Sequence, residues 1–545
     1  MKRISRLVIT AVSLMAILAI IVLPGCGNGE EEPTPAPTQT VAPTQTAAPT
    51  PTPEPTPRMG GTLRFAAIVM ESLDPHTSIG GFENNYHYQN FDALVTMNPD
   101  MSVGPGLAES WDMPDTNTII FYLREGVKFH DGTDFDASAV KWNIERVKDP
   151  EVESPYSGML DAVDSVEVID DYTVQFNLNR LDVTLFASLS DKPGMMVSPA
   201  AGETYGRGRT DLYDHPIGTG PWMVTEYVHD SHIVMDRFPD YWDEGKPYVD
   251  RLEFQLISDP VVALASLEAG TIDVIIPETI APEDLTKAQQ IPGVEVTTGP
   301  AAGFSVVILN KNFEPLSNLL VREALAWGWD RDAEIASYGG VGTPELGLLP
   351  VISWAYNPEV EDPKYSKYPV DYDKARQLLA DAGYPDGFDV TLTAINNTEY
   401  LTRAQILKDQ WEKIGINTTI DVMDLNSALT SLLAGDFEVM PANHSGRSDP
   451  GVHMSLLNHS KSGYNSADVM VTSQEYDDLL DAASQTIDQD ERKELYGEAQ
   501  LVIMEIQPIL MGINSPVFVP VQENVEGIVI YPDRKLRLKE VWLSE

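Results

Sequence analysis

A lone thiol, a few imidazoles and one isolated guanidinium are the side chains here whose type and spacing could do specific chemistry. Cys26 is the only cysteine in 545 residues, and it directly follows an apolar run. That is where a secreted bacterial chain is cut and lipidated, and no other thiol exists for a disulfide or a nucleophile. His444, His453 and His459 recur at short intervals, which leaves a metal-chelate ligand of the nickel type open. His229 and His232 form a metal-like pair on paper, yet they fall between strand-like 222–228 and 233–238, where a solvated hairpin tip is the simpler reading. Arg447 stands out in a chain poor in base: its planar fork matches a carboxylate bidentately. It could anchor an acidic group on a ligand, or form a structural ion pair with a neighbouring carboxylate. Asp449, before Pro450, could face a ligand or cap a helix over about 452–457.

Catalytic constellations are missing. There is no Gly-x-Ser-x-Gly elbow, no His-Glu-x-x-His and no Gly-rich phosphate loop. With 83 acidic residues a general acid and base can always be imagined, so acid abundance is no argument for a glycosidase. The expectation is a protein that is not an enzyme and needs no cofactor or resident metal; a secreted hydrolase and a sensor or chaperone lipoprotein are the competing classes. A formal charge of −47, from 36 basic against 83 acidic residues, repels phosphate backbones and excludes nucleic acid as a partner.

The elements that carry these residues begin after a leader and a tether. Lys2, Arg3 and Arg6 precede the apolar stretch 7–23, which reads as a signal peptide over 1–25; a retained membrane helix is the alternative, near the lower length limit for a span. Leu23-Pro24-Gly25-Cys26 resembles a bacterial lipobox, with Pro24 unusual at its position. Residues 26–58 are rich in Pro, Thr, Ala and Gln, with too little apolar surface to offset the entropy of ordering. About thirty such residues reach ~80–90 Å, enough to hold a folded body clear of a membrane.

The body, ~490 residues, is long enough for two or three lobes. Strands are expected over 60–67 and 117–124, with a hairpin of 166–169 and 173–178 about Asp170-Asp171. Val140, Ile144 and Val147 share a helix face that Asp136 can cap. Residues 375–382 form a short helix closed by Gly383 and Pro385. Phe388, Val390, Leu392 and Ala394 alternate as a strand; Tyr400, Ala404, Leu407, Trp411 and Ile414 mark a helix that Gly415 can end; Ile416, Thr418, Ile420 and Val422 form the next strand. Strand, helix and strand at this spacing imply a parallel crossover and an α/β lobe.

Several runs then resemble a known family: Ala108-Glu109-Ser110-Trp111, the stretch 118–132 ending Val127-Lys128-Phe129-His130-Asp131-Gly132, Pro216-Ile217-Gly218-Thr219-Gly220-Pro221, Pro239-Asp240-Tyr241-Trp242, and Leu309-Asn310 with Val321-Arg322-Glu323-Ala324-Leu325 and Asp330-Arg331. Their order is similar to that in extracellular solute-binding proteins of oligopeptide, dipeptide and nickel transport. The resemblance implies an α/β, two-lobed, pear-shaped periplasmic-binding-protein-like fold with an extra subdomain. Lobe I would use 59–80, 215–300 and 510–545, the extra subdomain 81–214, and lobe II 301–509. It also implies a monomer, lipid-anchored outside the cytoplasmic membrane, that closes on a peptide or small organic solute and delivers it to an ABC permease complex. Peptide binders of the family place an aspartate a few residues before an Asp-Pro pair to receive the ligand's amine; Gly446 fills that place here. His444-Ser445-Gly446-Arg447 resembles a subgroup with Trp-Ser-Gly-Arg, His444 replacing Trp. The cleft residues expected are Tyr86, His87, Asn310, Trp354, His444, Arg447 and Asp449, with plain packing the alternative for the aromatic ones.

Overall fold

A computed structural model describes residues 56–68, 72–78, 81–462, 465 and 467–544. The leader, Cys26 and the tether through residue 55 lie outside the described residues.

The strand–helix–strand pattern of the second half is realised with little change. Strand Phe388–Ile395 runs parallel to Ile416–Met423, in register from Phe388 opposite Ile416. The helix between them, Thr398–Trp411, starts where the Asn397 side chain accepts from the Glu399 amide, and a short 3-10 turn carries it to Gly415. Gly415 sits at φ +92, and Gly387 comes so close that a Cβ on it would lie 1.7 Å from the Gly415 carbonyl oxygen. Only glycine permits that approach. Val390, Leu392 and Ala394 bury against Ala404, Leu407 and Trp411 in one cluster; each Leu contributes about 1.5–3 kcal/mol by leaving water.

These strands belong to a five-stranded sheet ordered Ile416–Met423, Phe388–Ile395, Val439–His444, Phe304–Leu309, Ile509–Met511. A seven-stranded sheet is ordered Val294–Gly299, Val517–Gln522, Val274–Ile275, Thr62–Ala67, Arg251–Leu256, His232–Arg237, Trp222–Val228. Strand Thr62–Ala67 is parallel to both of its neighbours, and the outer pairs are antiparallel. A third sheet of four antiparallel strands, Ala108–Asp115, Thr118–Leu123, Thr173–Leu178 and Val163–Asp170, packs under helix Ala137–Lys148. Asp136 caps that helix by accepting from the Ala139 amide, and Val140, Ile144 and Val147 are buried as their spacing predicts.

Between the seven- and five-stranded sheets the chain passes through 300–303 and again through 512–516. The two passages are tied: Asn514 Nδ2 donates to the Ala301 carbonyl at 3.0 Å, and the Ile513 amide donates to Ser305 Oγ at 2.8 Å. Among the described residues no helix is long and apolar enough to cross a membrane.

Candidate functional site

Strand Val439–His444 pairs antiparallel with Phe304–Leu309, so His444 lies opposite Phe304 at the end nearest the first passage. The chain then turns through Ser445 and Gly446 to Arg447. A Cβ on Gly446 would fall 2.2 Å from Ala302 Cβ, so neither an aspartate nor any other side chain fits where the resemblance places an amine acceptor. Past the turn, Pro450–Asn458 is a helix, slightly longer than the expected 452–457, and Asp449 is its N-cap, accepting from the Gly451 amide at 2.8 Å.

A cleft opens at this turn, bordered by Arg447, Ser448, His453, Ala302, Trp354 with Leu349, Pro350, Ile352 and Ser353, and the Asp100–Met101 turn between the paired strands Val95–Met97 and Val103–Pro105. Its free volume is about 20 Å³, room for roughly one water. Arg447 is half-buried and donates Nη1 to its neighbour's Gly446 carbonyl at 3.2 Å; among the described residues it forms no ion pair. Oδ1 of Asp100 accepts from the Ser102 amide at 3.0 Å and from Ser102 Oγ at 2.6 Å, within its own loop.

Two imidazoles meet here, His453 on the cleft wall and His444 behind it. The rings of His444 and His453 meet edge to face, 4.2 Å between centroids, with Phe304 against both. His444 is 5% exposed, His453 is 1% exposed, and Nε2 of each is buried without a hydrogen-bond partner. Burial holds both rings uncharged, with the Arg447 charge pushing the same way; His453 is lowered to about 3, and His444 lies well below the usual range. His459 lies beyond them, 3.8 Å from Asp477 and 3.5 Å from Asp481. No group of three or more metal-ligating side chains gathers among the described residues.

The other expected cleft residues have internal partners. Tyr86 and His87 lie on helix Asn84–Asn90; Tyr86 Oη donates to the Ile68 carbonyl at 2.6 Å and its ring packs among Leu63, Phe65 and Phe254. His87 Nε2 contacts the Ser72 carbonyl at 3.2 Å, and burial keeps the ring uncharged. Asn310 follows strand Phe304–Leu309 and donates Nδ2 to the Phe437 carbonyl at 2.6 Å and the Gly435 carbonyl at 3.1 Å. Asp449 also meets Arg492 Nη2 at 2.6 Å, and that guanidinium lies 5.2 Å from the Trp354 ring centre. The structure therefore brings Trp354 and Arg447 to one cleft with His444 just behind it, and gives Asp449 a cap and a buried ion pair. Ala302 and the Asp100–Met101 turn are cleft residues that sequence reasoning missed, and His453, singled out there only with His444 and His459 as a possible metal-chelate group, borders the cleft. His229 and His232 flank a hairpin turn with Asp230 at φ 57, as their position between strands predicts.

Two α/β sheets joined by tied passages, a third antiparallel sheet, and an aromatic cleft beside the joint define a binding protein of the periplasmic type. Residues 102–466 match the family described as Bacterial extracellular solute-binding proteins, family 5 Middle, and the chain belongs to it. It is 32% identical over 463 residues to Heme-binding protein A of Haemophilus influenzae, covering 79% of this chain and 82% of that one. It is 30% identical over 476 residues to the Dipeptide-binding protein of Escherichia coli, covering 80% and 85%. Among solved structures it is similar to the ABC transporter-associated periplasmic binding protein DppA of Helicobacter pylori in complex with the peptide STSA, with a TM-score of 0.80, 26% identity, and coverage of 90% and 99%.

Proposed function

We propose that this protein captures a peptide or related organic solute between its lobes and delivers it, chemically unchanged, to an ABC importer. The lobes are those expected from the sequence: 59–80, 215–300 and 510–545 against 301–509, with 81–214 as the extra subdomain. One observation carries the ligand assignment: a half-buried guanidinium, Arg447, borders an aromatic cleft with no carboxylate paired to it among the described residues. A cation so placed selects an acidic group on the solute. The similarity to dipeptide- and peptide-binding relatives supports a peptide as the source of that group.

Mass spectrometry of solute copurified with the chain identifies the ligand class, and calorimetry of Arg447→Ala tests the anchor. Truncating one partner of a desolvated charge pair costs about 2–5 kcal/mol, so affinity should fall more than tenfold. Equal affinity of the variant and the parent would remove Arg447 from the site. The same reading makes the protein a monomer held to the outer face of the cytoplasmic membrane by a lipid on Cys26, because one acylated residue and a polar tether have no other means of attachment. Fractionation of cells producing Cys26→Ser should recover the protein outside the membrane pellet; full retention there would refute the anchor.

A further inference from the structure

Resting on Arg447 as the acid anchor, the buried imidazole beside it narrows the solute further. His453 borders the same cleft, is 1% exposed, and has no partner at Nε2. The Leu348 backbone carbonyl lies beside the ring, and because Nε2 has no partner it is Nδ1 that can donate to it. A carbonyl can only accept, so the ring proton resides on that nitrogen and Nε2 presents a lone pair. A buried acceptor left unsatisfied is costly, and a ligand donor that reaches it recovers the cost. The ring cannot meet this need by taking a proton, because its burial and the Arg447 charge oppose an imidazolium.

We propose that the cleft reads the C-terminal end of a peptide, with the terminal carboxylate on Arg447 and the amide N–H of the last residue donating to His453 Nε2. The two ligand groups are separated by a single α-carbon, and the two protein groups border one small cleft, so one residue spans both. The opposite polarity fits poorly. The place of an amine acceptor is held by Gly446, against which Ala302 leaves no room for a side chain. Trp354, with Arg492 5.2 Å from its ring centre, adds an apolar wall for the terminal side chain.

Equilibrium dialysis of the purified full chain against three synthetic libraries tests this: mixed tripeptides, the same sequences as C-terminal carboxamides, and depsipeptides in which an ester oxygen replaces the last amide N–H. Tripeptides should bind, carboxamides more than tenfold more weakly, and depsipeptides roughly tenfold more weakly because they leave Nε2 unmet. Folded His453→Leu should bind tripeptides and depsipeptides alike. Tripeptides and depsipeptides bound equally by the parent, or discrimination that persists in His453→Leu, would overturn the His453 subsite while leaving the peptide reading intact. Binding of none of the three libraries would overturn both. The comparison on the parent protein needs no variant, so it decides even where His453→Leu fails to fold.

Discussion

Burial decides the charge of five of this protein's histidines, and that makes its stability depend on pH. His76 and His130 are lowered to about 4 and His453 to about 3, in each case chiefly by burial, while His87 and His444 lie well below their usual range for the same reason. Below pH 6.5 the unfolded chain binds protons at these side chains and the native chain does not. Stability therefore falls as pH drops, by up to ~1.4 kcal/mol per unit for each histidine, until the native pKa is reached. Glu345, buried and pushed up to about 8, acts in the opposite sense: its native form keeps a proton that the unfolded chain releases, so acidification from 8 towards 4.5 stabilises. Five histidines outweigh one carboxyl, and urea unfolding should show a loss of at least ~2 kcal/mol between pH 7 and pH 5. A flat profile would mean that the rings already carry charge in the fold. At this scale the site was partly legible. Arg447 drew attention because base is scarce, whereas Tyr86 and Asn310 carry polar groups that the fold satisfies internally, and nothing in a single sequence separates a spent hydrogen-bonding group from a free one.

Helix Pro450–Asn458 shows how an element sets the cleft. Its cap, Asp449, also holds Arg492, and Tyr496 Oη lies 2.9 Å from the same guanidinium. Arg492 in turn faces Trp354, so one carboxylate fixes the start of the helix that carries His453 and the rear of the aromatic wall. Asp449→Ala removes the cap and leaves Arg492 buried without its carboxylate. The expected loss is about 3–5 kcal/mol, most of it from the orphaned charge. Asp449→Asn, which can still cap, should lose less; urea midpoints that rank Asn at or below Ala would contradict this division. Sequence suffices for such local devices: Asp449, Asp136 and Gly415 each act on residues a few positions away. Sheet order is different. Strand Thr62–Ala67 finds Arg251–Leu256 and Val274–Ile275 across long stretches of chain, and strand Phe304–Leu309 is buried on both faces with no alternation to mark it. Neither the pairing nor the faces of such strands are written in a local period. The cleft inherits that limit, since Ala302 and the Asp100–Met101 loop reach Arg447 only through the assembled sheets.

For the whole molecule, a solute held in the cleft as proposed would be coupled to the joint between sheets. Ala302 lies in the first passage, borders the cleft, and packs against Gly446 next to Arg447. The second passage is tied to the first by Asn514, and the Ala302 amide donates to the Pro532 carbonyl at 2.9 Å, on the side of the seven-stranded sheet. A cleft with about 20 Å³ of free space admits no organic solute unless the segments that border it separate, and those segments hang from different sheets. We expect opening to pass through 300–303 and 512–516, and a solute that contacts both sides to stabilise the closed arrangement by its differential affinity for it. Small-angle scattering should show a smaller radius of gyration at saturating ligand than in ligand-stripped protein. Asn514→Ala, which unties the passages, should widen the ligand-stripped distribution while leaving the liganded radius unchanged. A radius that is the same with and without ligand in the parent would place solute entry in loop motion around residues 349–354 and Asp100–Met101, with the lobes fixed.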